Sequence, residues 1–402
     1  MSKHQTMRRD LPTSQSLGPV RWISVGNSKE ADPGRAGAEA AEVATAGRDA
    51  KLLVVFSSDA YDPQSLLDAI ASAAPGVPLI GCSTAGEIAT AGPGDASVVV
   101  VAIGGDGFSV ATRAESAVVG LREAGAAVAE CADQVSARAH KILLLLTDGL
   151  AGDQQEVVRG AYSVVGAEVP LVGGCAGDDL KMQSTRQFHG DRVLTDAVVG
   201  AAVGSDAPLG IGVRHGWRRV GSPMLVSESD ANRVLTLDDE PALDVYLRGL
   251  QAPPEAATDP AAFTRFALTH PLGLQRRSGE EVRFIAGADF DDRSLICVAH
   301  VPQGGLTWFM EGDRDSVLAA TDGACADAVG QLAGSAPVGL LAFDCIARRG
   351  VLGDGGIQEE VGRIARHAGG APVAGFYTYG EIARTRGTGG FHNQTLVVLA
   401  VA

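Results

Sequence analysis

The sequence predicts a mixed α/β protein built from repeated units of strand, helix, strand and hairpin. Short apolar runs such as 51–56 and 141–146 have the length of buried strands and are followed by polar loop residues. A helical pattern follows each of these runs, and a second apolar run closes the unit. Because strand-helix-strand connections favour parallel pairing and hairpins add antiparallel strands, we expect sheets of mixed direction.

One motif returns near both ends of the chain and organises this interpretation. It reads Pro-Leu-Ile-Gly-Cys-Ser-Thr-Ala-Gly-Glu-Ile over 78–88 and Pro-Val-Ala-Gly-Phe-Tyr-Thr-Tyr-Gly-Glu-Ile over 372–382. A weaker copy over 170–180 has its second glycine one place early and Asp178 where the glutamate would stand. Each copy is typical of a buried strand that enters a tight turn. We therefore expect the chemistry of the protein at these three turns.

The predicted elements follow the same order in each unit. Before the first unit come a strand over 20–25 and an alanine-rich helix over 36–46. The first unit has strand 51–56, helix 64–74 after the cap Asp62-Pro63, strand 78–81, and a hairpin of 96–103 with 108–114. The second unit has 141–146, 154–165, 170–173, and the hairpin of 197–203 with 209–215. The third has 338–343, 357–367, 372–375 and the final strand 394–401.

A degraded fourth unit is predicted between the second and the third. Its strand is 224–226, its helix 241–250, its closing strand 271–274, and its hairpin 282–288 with 295–301. The Gly-Glu-Ile element is absent from it. With this unit the chain divides into two pseudo-equivalent halves, each of two units.

Composition excludes several classes of protein. A net charge of −15 and a pI near 5.0 argue against nucleic-acid binding, and no apolar run approaches the roughly 20 residues that span a bilayer. The six cysteines are scattered without a Cys-x-x-Cys pair, which favours reduced thiols in the cytoplasm. The first 19 residues are polar without a hydrophobic signal region, so we predict a disordered tail.

Further motifs add a family to this interpretation. Gly-Val-Arg-His-Gly-Trp over 212–217 and Asp-Glu-Pro-Ala-Leu-Asp-Val-Tyr over 239–246, together with the two full copies of the turn motif, resemble the FIST family of sensory domains. The resemblance covers roughly 50–238 and 239–390. We therefore predict a tail over 1–19, an N-terminal FIST domain over 20–238 and a C-terminal FIST domain over 239–402.

What the resemblance implies is an intracellular sensor of signal transduction that binds a small ligand, with amino acids the proposed class. Members are often fused to, or encoded beside, histidine kinases, cyclic-di-GMP enzymes or chemotaxis receptors. Some stand-alone members are similar to haem-binding nitric oxide sensors. Both FIST parts together account for nearly the whole chain, so the expected output passes to a separate partner such as a histidine kinase or a cyclic-di-GMP signalling protein.

The three turns offer carboxylates beside backbone N–H groups, at the strand ends where α/β sheets bind ligands. Glu87, Glu381 or Asp178 would take the ammonium group of a zwitterion, and N–H groups with an arginine such as Arg214 would take its carboxylate. The alternative is that Gly-Glu-Ile is a turn whose glutamate caps the next segment. Both interpretations stay open at this point.

The predicted ligand-binding residues come from the three turns and from the end of the second hairpin. They are Gly81, Cys82, Gly86, Glu87, Gly174, Cys175, Asp178, Arg214, His215, Gly375, Tyr377, Gly380 and Glu381. Asp148 and Asp344 end the preceding strands and add carboxylates nearby.

If haem is the cofactor, its axial ligand is a histidine or a thiolate. The candidates are His189 and His215 first, then His270, His300, His367 and His392, with Cys82 and Cys175 as the thiolate alternatives. Covalent attachment is excluded because the sequence has no Cys-x-x-Cys-His.

An enzyme is the alternative class of function, with Cys82 or a carboxylate as the reactive group. The run over 81–85 misses the Gly-x-Ser-x-Gly nucleophile motif by its last glycine, and no phosphate-binding loop is present in the sequence. The sensor is therefore the favoured prediction.

Overall fold

The computed structural model describes residues 20–276, 279–385 and 389–402, so the predicted disordered tail over 1–19 lies outside the described residues. Within these ranges the predicted mixed α/β class is confirmed: eight α-helices accompany 26 strands in four sheets. None of the described helices combines the length and the apolar character that crossing a membrane requires.

Thirteen of the strands lie at or before residue 214, and thirteen follow it. The first thirteen are β1 (Trp22–Ser28), β2 (Ala50–Ser58), β3 (Leu79–Thr84), β4 (Glu87–Ala89), β5 (Gly92–Gly94), β6 (Val98–Gly104), β7 (Phe108–Ser116), β8 (His140–Thr147), β9 (Leu171–Cys175), β10 (Gln187–His189), β11 (Arg192–Leu194), β12 (Ala197–Ser205) and β13 (Leu209–Arg214). The others are β14 (Arg218–Asp230), β15 (Arg233–Leu237), β16 (Glu240–Pro241), β17 (Leu272–Arg276), β18 (Gly279–Arg283), β19 (Ile285–Asp289), β20 (Ser294–Cys297), β21 (Leu306–Glu311), β22 (Gly339–Cys345), β23 (Val373–Thr378), β24 (Glu381–Arg384), β25 (Phe391–His392) and β26 (Leu396–Val401).

The helices connect these strands, and four of them (the first, second, sixth and seventh) begin at an aspartate whose side chain caps the helix. They are α1 (Pro33–Thr45), α2 (Pro63–Ala73), α3 (Leu121–Ala129), α4 (Gln155–Val165), α5 (Ala242–Gly249), α6 (Pro260–Ala267), α7 (Arg314–Gly330) and α8 (Ile346–Ala368). The predicted cap of α2 is confirmed, because Asp62 Oδ1 accepts from Ser65 N at 2.9 Å and Pro63 opens the helix.

Three of the four sheets have the same strand order. It is β1-β6-β2-β3 in the first, β7-β12-β8-β9 in the second and β13-β26-β22-β23 in the third. In each sheet the last two of these strands are parallel and the other pairs are antiparallel. A helix joins each parallel pair: α2, α4 and α8 respectively. The chain therefore contains three equivalent structural units. The predicted hairpins of 96–103 with 108–114 and of 197–203 with 209–215 are wrong, because β6 and β7 lie in different sheets, as do β12 and β13.

The three units exchange strands in a cycle. The short hairpin β4–β5 of the first unit extends the third sheet, where β4 pairs with β23. The hairpin β10–β11 of the second unit extends the first sheet beside β3, and β24–β25 of the third unit extends the second sheet beside β9. Each of the three repeated turns is the point at which the chain leaves one sheet and enters another.

A central core lies between the inner faces of the three sheets. Phe56 of the first sheet meets Phe376 of the third at 4.8 Å between ring centroids, and Leu146 of the second belongs to the same cluster. The outer faces are covered by α1 and α2, by α3 and α4, and by α7 and α8. This layering explains why β2, β8 and β22 are apolar on both faces.

Residues 218–311 form the fourth sheet, here called the inserted sheet, between β13 and α7. Its order is β18-β17-β21-β14-β15-β20-β19, and all its pairs are antiparallel. The expected fourth unit, and with it the division into two pseudo-equivalent halves, does not correspond to this arrangement. Strand 224–226 is part of the long β14. The predicted hairpin of 282–288 with 295–301 is confirmed in part, because β19 and β20 pair antiparallel, whereas residues 282 and 283 belong to β18 and pair with β17. Apolar spacing predicts that strands exist and leaves open which strands pair.

Candidate functional site

Glu87 and Glu381 occupy equivalent turns and are completely buried. One carboxylate oxygen of Glu381 accepts from Thr378 Oγ1 at 2.5 Å, and the other accepts from Thr395 N at 3.1 Å and Thr395 Oγ1 at 2.8 Å. Glu87 makes the same contacts with Thr84 and Ser97. Burial raises the pKa of both carboxyl groups to about 7. The geometry is that of the capping alternative, in which the glutamate fixes the start of the next strand.

The structural equivalent of these glutamates in the second unit is Gln187. It lies opposite Cys82 in β3, as Glu87 lies opposite Phe376 in β23. Its Oε1 accepts from Ala197 N at 3.3 Å. The alignment of Asp178 with the glutamates was wrong, because the second turn contains an extra loop that places the equivalent residue nine positions later in the chain.

Asp178 anchors that extra loop. Its carboxylate accepts from the backbone N–H groups of Met182, Gln183 and Ser184 at 2.7–3.0 Å, and from Tyr379 Oη at 2.5 Å. Burial by itself would raise the pKa of Asp178. The hydrogen bonds have the larger combined effect, and they lower this pKa below its usual value. The carboxylate is therefore ionised and already fully hydrogen-bonded within the protein.

Both cysteines of the turns are buried thiols. Cys82 belongs to the central core, and Cys175 Sγ accepts from Thr147 Oγ1 at 3.2 Å. Burial raises the pKa of Cys175 to about 12 and also raises the pKa of Cys82 well above its usual value. Since the thiolate is the nucleophile and the metal ligand, this environment favours neither an enzymatic nor a ligating role.

The predicted glycines are required by packing. A Cβ atom would come within 3 Å of a neighbouring residue's atoms at each of Gly81, Gly86, Gly174, Gly375 and Gly380. At Gly86 the left-handed φ of 114° adds a second reason, and the neighbour is the guanidinium of Arg349.

Arg214 lies apart from the glutamates predicted to work with it. It forms a half-exposed ion pair with Asp327 at 2.6 Å. Its neighbour His215 is more enclosed: Nδ1 accepts from Trp217 N at 2.9 Å, and Nε2 lies 3.5 Å from Glu280. Burial lowers the pKa of His215 to about 4, which keeps the imidazole neutral.

The histidines, as placed, do not fit an axial haem ligand. Neutral His215 has the right protonation state, but Glu280 faces its Nε2. His189 has both ring nitrogens in contacts, with Thr112 Oγ1 at 3.2 Å and Arg192 at 3.1 Å. Of the others, His392 and His270 contact backbone carbonyls, His367 contacts Asp322, and His300 is exposed.

The most buried polar cluster lies at the end of β22 and is centred on Arg348, which the sequence motifs did not indicate. Arg348 Nε donates to Asp344 Oδ1 at 2.6 Å, and Nη2 donates to Glu360 Oε1 at 2.6 Å. Thr321 of α7 also contacts Arg348 and donates to the same Glu360 oxygen at 2.6 Å. All four side chains are completely buried. Asp344 alone among them was predicted to lie near a ligand.

Among the described residues, no N–H or O–H donor is placed on the buried oxygens Asp344 Oδ2, Glu360 Oε2 or Tyr377 Oη. The two carboxyl groups hydrogen-bond each other, which leaves Tyr377 Oη as the member of the three without a partner. Burial and the neighbouring charge of Glu360 raise the pKa of Asp344 well above its usual range. The Asp344 carboxyl group is therefore protonated near neutral pH and can donate its proton to Glu360 in a hydrogen bond. We define Asp344, Arg348, Glu360, Thr321 and Tyr377 as the polar cluster.

The helix that carries Arg348 is interrupted at Gly353, whose φ of 61° and ψ of 178° are not helical. Arg348 lies on the short segment 346–352, and Glu360 lies on the longer segment beyond. Arg349 of the short segment donates to Ala85 O of the first unit at 2.8 Å. Gly350 packs close to Leu268, which follows α6 in the inserted sheet region. The short segment therefore connects the polar cluster with two other parts of the molecule.

The sequence is similar to several mycobacterial proteins of unassigned function. Two uncharacterized proteins of Mycobacterium tuberculosis, from strains CDC 1551 / Oshkosh and ATCC 25618 / H37Rv, are 26% identical over 386 residues, covering 93% of this chain and 97% of theirs. An uncharacterized protein of Mycobacterium bovis is 27% identical over 231 residues, 56% of this chain and 58% of its own length.

Among solved structures, a cyanuric acid hydrolase from A. caulinodans matches 48% of this chain and 72% of its own, with 11% identity and a TM-score of 0.26. Models of protein families give the clearer assignment. The FIST N domain matches residues 51–240, and the FIST C domain matches residues 242–384. The chain belongs to the FIST family, whose domains are associated with sensing in signal transduction.

Proposed function

We propose that the protein is a small-ligand sensor that passes a ligand-dependent conformational change to a separate partner such as a histidine kinase or a cyclic-di-GMP signalling protein. The observation that carries this proposal is the polar cluster beside an interrupted helix, in which the buried Tyr377 Oη has no hydrogen-bond partner among the described residues. Membership of a family of sensory domains supports the same conclusion.

The energetics favour a ligand at the cluster. A buried polar atom without a partner costs roughly 1–3 kcal/mol, so a group that supplies the missing hydrogen bonds gains free energy by binding there. Signalling also requires that the ligand bind two conformations unequally. A change at Arg348 would reach the turn of the first unit through Arg349 and the inserted sheet region through Gly350, since all three lie on the segment 346–352.

An amino acid is our first proposed ligand, because the cluster presents polar atoms suited to a small polar molecule. Haem with nitric oxide sensing is the second proposed ligand and has less support, because Glu280 faces Nε2 of the neutral His215. The enzyme alternative has less support, since Cys82 is buried with a raised pKa.

The test is a thermal-shift screen of amino acids on the wild type and on Tyr377→Phe. We expect at least one amino acid to raise the melting temperature of the wild type, and the effect to shrink in Tyr377→Phe. Absorption spectra with added haemin, before and after nitric oxide, examine the second ligand. If neither experiment detects binding, or if turnover is found that Cys82→Ala abolishes, the sensor proposal fails.

A further inference from the structure

We infer that a recess beside Glu87 in the first unit binds a small planar nitrogen heterocycle of the imidazole type. This recess shares no residue with the polar cluster, so the inference is independent of the proposed sensor site. It is carried by a cavity, by the side chains that fill the equivalent space in the other two units, and by the polar groups that line the cavity.

The recess lies between β1, β6 and the hairpin β4–β5. Its volume is about 50 Å³. A single water molecule needs roughly 10–15 Å³ of such space, so the recess has room for one five-membered ring. Buried residues form its inner wall and exposed residues form its mouth. The inner residues are Glu87, Ala89 and Ser97, Gly94 lies on the hairpin side, and Asn27 and Lys29 lie at the mouth.

The register of the strands identifies the same space in the other two units. In each unit the residue equivalent to Glu87 lies opposite one residue of the following short strand. The three pairs are Glu87 with Gly94, Gln187 with Leu194, and Glu381 with His392. Cross-strand partners point to the same side of a sheet, so Leu194 and His392 point into the space where Gly94 has no side chain. Two units therefore fill this space with their own side chains, and in the first unit the glycine leaves it open.

The third unit shows which chemical group such a space accepts. Nε2 of His392 lies 3.0 Å from Ala383 O. Burial lowers the pKa of His392, which keeps the ring neutral. Since a carbonyl oxygen only accepts, Nε2 carries the proton and Nδ1 keeps its lone pair. The equivalent of Ala383 in the first unit is Ala89, which lines the recess.

Lys29 supplies a donor for the second nitrogen of such a ring. It follows the last residue of β1, as His215 follows the last residue of the equivalent strand β13. Its Cε lies 3.6 Å from the position that a Cβ atom on Gly94 would take, so its ammonium group reaches the recess. An ammonium group donates and cannot accept, which matches an unprotonated ring nitrogen. The recess therefore offers an acceptor for the N–H of an azole and a donor for its other nitrogen.

Glu87 lies on the inner wall and makes the recess unsuitable for a simple anion. Its two carboxylate oxygens already accept hydrogen bonds from Thr84 and Ser97. An anion that paired with Lys29 would lie beside this carboxylate, whereas an uncharged ring avoids the repulsion.

The experiment measures binding of imidazole to the full chain by saturation-transfer NMR at pH 8.5, where imidazole is uncharged. We expect saturable binding with a Kd on the order of 1 mM, as a ligand of so few atoms allows. The control probes are 1-methylimidazole, which has no N–H donor, and acetate, which can form only the ion pair with Lys29. Each should bind at least about tenfold more weakly than imidazole.

Variants of two residues locate the site. Gly94→Leu places in the first unit the side chain that Leu194 provides in the second, and it should abolish imidazole binding. A Cβ on Gly94 would lie 2.5 Å from Ser97 Oγ, so this variant can fail to fold. Lys29→Met, at an exposed residue, is the second test and should weaken binding about tenfold or more. Lys51→Met makes the same change at another lysine of the first sheet and should leave the affinity unchanged.

The ring can come from a free heterocycle or from a histidine side chain of a partner protein. Titration with the tripeptide Gly-His-Gly distinguishes these sources. Tighter binding of the tripeptide than of imidazole supports the site with a protein as its source, and tighter binding of imidazole supports it with a free heterocycle.

Three outcomes would overturn the inference: no saturable binding of imidazole, equal binding of 1-methylimidazole or acetate, or an unchanged affinity in Lys29→Met. The proposed sensor site fails separately, because its test depends on Tyr377. Tyr377→Phe should leave the binding of imidazole unchanged, and a loss of imidazole binding in this variant would place the ring at the polar cluster instead of the recess.

Discussion

Gln187 lies in the second unit where Glu87 lies in the first. Each is the first residue of a strand that crosses into another sheet, and each accepts the backbone N–H that opens the next long strand. The distances are 3.3 Å from Ala197 N and 3.2 Å from Ser97 N. The first position of the crossing strand therefore requires a side-chain oxygen that accepts a hydrogen bond, and this oxygen need not carry a negative charge.

This equivalence predicts that Glu87→Gln keeps the fold and Glu87→Ala does not keep its full stability. A glutamine can accept from Ser97 N and donate to Thr84 Oγ1, as Gln187 donates to Thr185 Oγ1 at 3.0 Å. We expect the free energy of unfolding of Glu87→Gln, measured in urea, to lie within about 1 kcal/mol of the wild-type value. Glu87→Ala should lose roughly 2–4 kcal/mol, because it leaves a cavity and buried donors without a partner. Equal losses in both variants would contradict the equivalence.

The two buried glutamates predict a pH dependence of stability with a definite sign. Their pKa is about 7 in the folded protein and near 4.5 when exposed, so between these values the folded state binds more protons than the unfolded state. Stability must therefore fall as pH rises from about 4.5 to 7, by up to roughly 3 kcal/mol for each group.

The double variant Glu87→Gln, Glu381→Gln isolates this contribution from that of other carboxyl groups. Urea unfolding of wild type and double variant at pH 5, 6, 7 and 8 gives the difference directly. We expect the variant to gain stability relative to the wild type as pH rises, with the gain complete near pH 8. A difference that is constant across this range would show that the glutamates do not titrate there.

Arg348 and Arg214 provide a matched test of buried and exposed ion pairs. Arg348→Ala leaves two carboxyl groups buried without their cation. We expect it to lower the free energy of unfolding by roughly 3–5 kcal/mol. Arg214→Ala breaks a half-exposed pair with Asp327 and should cost less than about 1 kcal/mol. Chemical unfolding measures both. Comparable costs would mean that the cluster relaxes by protonating both carboxyl groups.

Two glycines of α8 should respond to alanine in opposite directions. Gly353 has a left-handed φ of 61°, so Gly353→Ala should destabilise by about 1–2 kcal/mol. Gly362 lies within the regular part of the helix, and a Cβ there would meet only Arg366 at 4.0 Å. Gly362→Ala should therefore stabilise by about 0.5–1 kcal/mol. The melting temperatures of both variants test whether α8 is interrupted at Gly353. A stabilising Gly353→Ala would show that the helix is continuous there.

The turn motif was the most informative part of the sequence for the candidate site, and its limits are physical. It located Glu87 and Glu381 at equivalent positions of the fold and placed Tyr377 in the third turn, because glycines that cannot accept a Cβ keep the same spacing in each copy of the motif. It missed Gln187, since an anchored loop separates that residue from its turn. It also missed Arg348 and Glu360, because an arginine and a glutamate on a helix read as exposed residues unless their partners are known.

The sequence by itself determined the class of the fold, the three turns and the strands and helices around them, because apolar periodicity and capping residues act over a few neighbouring positions. Only the tertiary structure decided that three units exchange hairpins in a cycle, that residues 218–311 form a sheet of a different order, and that Asp344, Arg348 and Glu360 meet. These features depend on pairing between segments far apart in the chain, and local patterns do not specify the partner of a strand or of a buried charge.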